Sequence, residues 1–329
     1  MRILFRGRAR LVVLLAVVLG AMAATPVAAS PRHSNGQLAF GRFNPALDDT
    51  QVYVVNPDGT GQRLVQGPAA TGEIPVWFPD GAHLTTCCDQ PGGGSRIINP
   101  DDGTFRDIDG QIPGTFNPCG NPSPDGTLLF CETFSDDGSL NGIHTIRSSD
   151  GGGFTQITSN PGGDDVPGDW SPNGKRLVFE RFNPSGDPEG VFVMNLNGTG
   201  LKQILPPTVS VNCCTFNWSP QGNEIAFSRH AAPGVHSSLW VMHSDGSGLR
   251  PLPVPPGSGC GGPNADTAAI GCLEPAWSPD GTKIAFAGGL DLDTDGEIYT
   301  VNLDGTGLRQ VTNAPGSESP DWGTHPPVG

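Results

Sequence analysis

The run Asp291-Leu292-Asp293-Thr294-Asp295-Gly296-Glu297 sets carboxylates at alternate positions and includes a glycine that permits a sharp turn. Such a loop suits a hard cation that takes roughly six to eight oxygen ligands. Asp291, Asp293, Asp295 and Glu297 are therefore candidate calcium ligands, and no other cofactor is indicated. Position twelve of the loop is Asn302, not the bidentate Glu of a helix-flanked calcium loop, and the same residues also read as an ordinary acidic turn. His230 and His236 share one loop, where they could meet Arg229 or Arg181. No nucleophile or fixed carboxylate is assignable beside them, so no catalytic residue is named, and solvated loop histidines account for them as well. H-E-x-x-H, G-x-S-x-G and Walker patterns are absent from the sequence.

The elements that would position these groups come from a repeat. Trp277-Ser278-Pro279-Asp280-Gly281 is followed by Ile284-Ala285-Phe286, then Ile298-Tyr299-Thr300-Val301, Asp304-Gly305-Thr306-Gly307 and Leu308-Arg309-Gln310-Val311. The same order starts at Trp218 and Trp170, and weaker copies open at Trp77-Phe78-Pro79-Asp80-Gly81 and Ser123-Pro124-Asp125-Gly126. Trp77, Trp170, Trp218, Trp277 and Trp322 hold one place in the unit and read as repeat-structural. Each unit supplies four short β-rich runs, a to d, separated by Pro-Asp-Gly and Asp-Gly turn chemistry. The Gly-x-Gly pairs at 198/200, 246/248 and 305/307 fall at the same c–d turn, so turn geometry explains them better than phosphate binding. Each strand class has six members, yet the chain starts on a b strand and ends on an a strand. Only a ring whose last strand completes the first blade accounts for that order and leaves no unpaired edge. The prediction is an all-β fold, a six-bladed β-propeller of four antiparallel strands per blade, with repeats over about 36–323 in one domain at 30–329.

Arg2, Arg6, Arg8 and Arg10 precede the apolar run Leu11–Leu19, and Val27-Ala28-Ala29 offers small residues before Ser30. The run is too short for a free-standing membrane span, so 1–29 reads as a secretory signal peptide, with a retained anchor helix as the alternative. The formal charge is −15, and losing four arginines and no acid would take it to −19. That charge argues against nucleic-acid partners and against docking on anionic lipid. In an exported chain, an even cysteine count without C-x-x-C argues for disulfides over metal thiolates. The candidates are Cys87, Cys88, Cys119, Cys131, Cys213, Cys214, Cys260 and Cys272. Cys119 and Cys131 fit a cross-strand pair and Cys260 and Cys272 a loop staple. That would leave both Cys-Cys neighbours bridged to each other, which is uncommon, so pairings between clusters stay open.

The Trp-Ser-Pro-Asp-Gly…Ile-Ala-Phe…Ile-Tyr-Val…Asp-Gly…Leu pattern resembles the TolB-type, WD-repeat-like propeller family, without the α/β domain that precedes the propeller there. The resemblance is specific for fold and weakly so for function. The a–b and c–d turns are short and uniform, whereas the b–c and d–a connections are long and irregular. Variable loops on a rigid scaffold are where binding resides. The expectation is a secreted or periplasmic monomer of the bacterial envelope, not inserted in the membrane, that binds a protein or glycan through that face. The alternative is a propeller enzyme, a lyase or hydrolase acting on polysaccharide in the central funnel, as the resemblance to lyase propellers implies.

Overall fold

The computed structural model describes residues 34–65, 73–87, 95–108, 115–116, 118–212, 216–230, 237–255, 271–289 and 296–326. The chain enters on β1 (Leu38–Asn44), β2 (Asp49–Val55) and β3 (Arg63–Leu64). Blade two is β4 (Glu73–Trp77), β5 (Leu84–Cys87), β6 (Ser95–Ile98) and β7 (Phe105–Ile108). After the short β8 (Thr115–Phe116), blade three is β9 (Cys119–Pro122), β10 (Leu128–Ser135), β11 (Gly142–Arg147) and β12 (Thr155–Gln156). Blade four is β13 (Asp164–Trp170), β14 (Arg176–Phe182), β15 (Pro188–Asn195) and β16 (Lys202–Leu205). Blade five is β17 (Asn217–Trp218), β18 (Glu224–His230), β19 (Ser237–His243) and β20 (Arg250–Pro251). Blade six is β21 (Gly271–Trp277), β22 (Lys283–Gly289), β23 (Glu297–Asn302) and β24 (Arg309–Gln310). Finally β25 (Ser317–Trp322) returns to pair with β1, so blade one has the order β25-β1-β2-β3. The fold is a six-bladed β-propeller with no helix among the described residues.

Local chemistry sets each meander. In the a–b turn of blade three, Ser123 Oγ donates to Asp125 at 2.6 Å and accepts the Leu128 amide at 3.0 Å. Ser171 and Ser278 repeat the arrangement with Asn173 and Asp280. The glycine that ends this turn has φ between 66° and 75° at Gly81, Gly126, Gly174, Gly222 and Gly281, a region in which a Cβ is strained. At the c–d turns, Asp58, Asp245 and Asp304 each bind the amide and hydroxyl two residues on.

Closure is explicit. Leu38 pairs with Trp322, Ala39 with Asp321, Gly41 with Glu318 and Arg42 with Ser317. Gly36 N donates to Gly323 O at 3.0 Å, Gln37 N to His325 O at 2.8 Å, and Trp322 Nε1 to Gly36 O at 3.0 Å. The two ends of the described ring are thereby one sheet, and β1 has no free edge.

The core lies between blades, because a sheet face can bury its apolar side only against the next sheet. Leu38, Phe40 and Trp322 of blade one pack on Ala276, Ala285, Ala287 and Ile298 of blade six. Trp77 packs on the β1–β2 face of blade one, and Trp170 stacks on Phe130 of blade three at 3.7 Å. Blade three has Pro122 where the other blades have tryptophan. There the seam is filled by Phe78, Ile97, Leu129 and a disulfide between Cys119 and Cys131, which stand opposite each other in β9 and β10. Cys272 is fully buried and also disulfide-bonded. Residues 1–29, Cys88, Cys213, Cys214 and Cys260 lie outside the described residues.

Candidate functional site

The innermost strands bulge where they face the axis. Ile74, Asn121, Glu274 and Ser319 have φ of 56°, 34°, 52° and 49°, and each precedes a proline. The register shifts at the same points, between Glu73 and Val76 and between Leu273 and Ala276, for example. Strand a pairs on one side only, so a proline there forfeits no ladder hydrogen bond, and a bulge turns its ring out of the pleat. The result is a central cavity of about 260 Å³, lined by Pro75, Pro167, Pro275 and Pro320 together with Glu132 and Glu274. The Glu274 carboxylate accepts the Ser319 amide at 2.6 Å and its hydroxyl at 3.1 Å, which ties blade six to blade one at the wall of the cavity.

Deeper in the wall, buried carboxyls bridge neighbouring blades. Asp321 accepts the Trp77 amide at 2.7 Å, and burial raises its pKa to about 6. Asp169 accepts the amides of Trp218 and Trp170, and burial raises its pKa to about 7, with Asp321 adding to the shift. Glu180, in the middle of β14, is raised to about 7 by burial, and its Oε2 has no hydrogen-bond partner. Asp164 is also raised by burial and is hydrogen-bonded to Glu132.

Towards the b–c end of three blades, an arginine lies over aromatic rings of its own sheet. Arg42 is 5.2 Å from the Phe40 centroid and 4.7 Å from that of Tyr53. Arg181 is 5.4 Å from Phe179 and 5.6 Å from Phe192, and Arg229 is 4.7 Å from Trp240. Phe40 pairs with Tyr53, Phe179 with Phe192 and Phe227 with Trp240, so all three arginines occupy one register position of strand b. Arg181 is held by the fully buried Asp165, which raises its pKa further. Beside Arg229, His230 Nδ1 is 3.1 Å from Ser237 Oγ, which also accepts from Asn212 at 3.0 Å.

Of the candidate ligands in the acidic run, only Glu297 is described. It begins β23, accepts the Thr312 hydroxyl, and its charge acts on Arg42. Asp291, Asp293, Asp295 and His236 lie outside the described residues. Among the described residues no three His, Cys, Asp or Glu side chains are grouped to hold a metal ion. His144 is fully buried, stacks on Phe154 at 4.2 Å, and is lowered to about 4 by burial, so it is neutral at physiological pH. Two features went unused in the sequence: a proline two residues before Trp77, Trp277 and Trp322, and Phe-x-Arg at 40–42, 179–181 and 227–229. Their recurrence at fixed places in the repeat was the available signal.

No protein-family model matches the sequence, and no curated protein matches it. Solved structures do. The ring is similar to TolB from Acinetobacter baumannii, with a TM-score of 0.64 and 17% identity over 87% of this chain and 66% of that one. It is similar to a putative TolB from Agrobacterium tumefaciens, with a TM-score of 0.60 and 19% identity over 87% and 92% of the two chains. A chain of the nidogen/laminin complex matches with a TM-score of 0.60 and 11% identity, over 88% of this chain and all of that one. What this chain shares with the TolB structures, at these identities, is the six-bladed propeller fold.

Proposed function

We propose that this chain is an exported TolB-type propeller that serves as a binding scaffold, engaging a protein or glycan of the cell envelope through its b–c and d–a face. The observation that carries this reading is the contrast between the two faces of one closed ring. The a–b and c–d turns repeat the same Asx and serine hydrogen bonds from blade to blade. The opposite face carries b–c connections of unlike length and sequence, 45–48, 136–141 and 183–187 among those described. A rigid ring fixes where such loops stand, and variable loops on a fixed frame carry recognition. The Cys119–Cys131 disulfide accords with an oxidising compartment such as the periplasm.

The test is capture from native envelope extract with protein lacking residues 1–29. A specific partner is expected, and shortening loop 183–187 to Asn-Gly is expected to abolish its capture. The same change at the 244–247 turn should leave capture intact. No specific partner, or capture indifferent to the loop, would sink this reading. A second reading, action on polysaccharide, is supported by the hydrogen-bonded Asp164 and Glu132, because a carboxyl with raised proton affinity can serve as a general acid. A glycan-degradation screen decides it: turnover lost in Asp164→Asn favours the enzyme, and no turnover removes that reading.

A further inference from the structure

The three stacked arginines differ in one respect. The residue that pairs opposite each, in strand a of blades one and four and in an isolated bridge before β17 in blade five, decides what its guanidinium meets. Arg181 faces Asp165, whose carboxylate takes Nε at 2.6 Å and Nη2 at 2.7 Å. Arg42 faces Ser317, whose hydroxyl accepts from Nε at 3.2 Å and Nη2 at 3.1 Å. Arg229 faces Val211, which has no side-chain acceptor. Its Nε is buried without a hydrogen-bond partner, and no carboxylate among the described residues pairs with it. Burying part of a cation with no acceptor is unfavourable, yet Arg229 is held in place over Trp240.

We propose that Arg229 anchors a site for a carboxylate group of an external ligand, met by the outer Nη edge of the guanidinium while Nε stays enclosed. The blade-four pair shows the same chemistry at the inner edge, a planar carboxylate taken by two parallel N–H donors. His230, Ser237 and Asn212 form the adjoining hydrogen-bonding group, suited to the hydroxyl or amide beside such a carboxylate. The formal charge of −15 disfavours a polyanion and suits a ligand that offers one carboxylate at this point. This deepens the proposed binding role and rests on it for the ligand's origin, which is either a protein glutamate or aspartate or a sugar acid of a glycan.

The test follows the Arg229 Nε–H signal by NMR while galacturonate or N-acetylglutamate amide is added, with galactose and N-acetylglutamine amide as uncharged controls. The carboxylates are expected to shift the signal and the controls are not. The tighter of the two carboxylates identifies the source. Binding read on the His230 and Asn212 signals should weaken at least about 10-fold in Arg229→Gln, in keeping with a charge-assisted pair. Val211→Asp copies blade four, so its own carboxylate should pair with the enclosed Nε edge, neutralise the guanidinium and abolish binding while raising the melting temperature. If that variant does not fold, Val211→Ser, which copies blade one, should weaken binding in the same direction. No carboxylate response, or undiminished binding in Arg229→Gln or in the folded Val211 variant, overturns the site. If envelope capture fails while carboxylates still shift Arg229, the scaffold reading falls and this site stands; the converse result removes the site alone.

Discussion

The Asp169 carboxylate of blade four accepts the backbone amide of Trp218 in blade five at 2.6 Å, while its other oxygen takes the Trp170 amide at 2.7 Å. The residue before the signature tryptophan thus hooks one inner strand to the next. Asp321 does the same to Trp77 at 2.7 Å, and Asn217 to Trp277 at 2.8 Å. A tryptophan side chain that wedges a seam and an acceptor that ties the seam's backbone sit side by side in sequence. Blades one, four and five therefore each carry both fasteners to a neighbour.

Asn217 shows that one amide oxygen is enough to hold a neighbouring blade. Asp169→Asn should therefore cost little, on the order of 1 kcal/mol, because one acceptor can be kept. Asp169→Ala leaves two interior N–H groups unmet and should cost about 2–4 kcal/mol. Urea unfolding of both variants measures the difference. Equal losses would mean that the hook contributes nothing beyond packing.

Proton uptake should couple to folding. Burial raises Asp169 to about 7, Asp321 to about 6 and Glu180 to about 7, whereas the same groups in the unfolded chain titrate near 4. Between those limits the folded ring holds protons that the unfolded chain has released, so the contribution of these groups to stability falls as pH rises through the window. His144 opposes this. Its folded value of about 4 lies below the unfolded value of about 6.5, so its contribution is lost as pH falls through that interval. Three groups outweigh one, and the melting temperature should be roughly 5 °C higher at pH 5 than at pH 7.5. Asp169→Asn should flatten the slope. A melting temperature that climbs from pH 5 to pH 7.5 would refute the assignment.

The Cys119–Cys131 bridge closes a short loop in the blade that lacks the tryptophan wedge. Cross-links of that span stabilise by about 3 kcal/mol through the unfolded chain. Replacing both cysteines with serine should lower stability by about that amount without changing the fold, as read from denaturant midpoints and unchanged far-ultraviolet circular dichroism. A double variant as stable as the parent would show that the seam is held by Phe78, Ile97 and Leu129 alone.

Much of the fold was legible in the residues because the repeat writes the same turn chemistry many times. Pro-Asp-Gly and Asp-Gly-Thr-Gly mark strand ends locally, and six copies of each strand class require closure whatever the weakness of any one copy. The inner wall was less legible. The bulges at Ile74, Glu274 and Ser319 arise from a proline in a strand with only one paired side, a property of position in the ring and not of the local run. Whether a buried acid meets an arginine is set by cross-strand register. Asp165 and Val211 are interchangeable to a hydropathy pattern only in being near a strand, yet one neutralises its arginine and the other does not.

Closure itself is the most exposed claim. β25 supplies the strand that pairs with β1, the Trp322 ring that packs on blade six, and the carboxyl that hooks blade two. Trp322→Ala should cost about 3–5 kcal/mol, since the ring is buried with little room for the seam to collapse. Deleting 317–329 goes further: β1 becomes an open edge with its amides and apolar face uncovered, a template for pairing with another chain. The truncated protein should associate or aggregate, and a peptide spanning 316–326 added in trans should restore a monomer with a cooperative melt. A truncated ring that stays monomeric and melts like the parent would mean that the five complete blades hold together without closure.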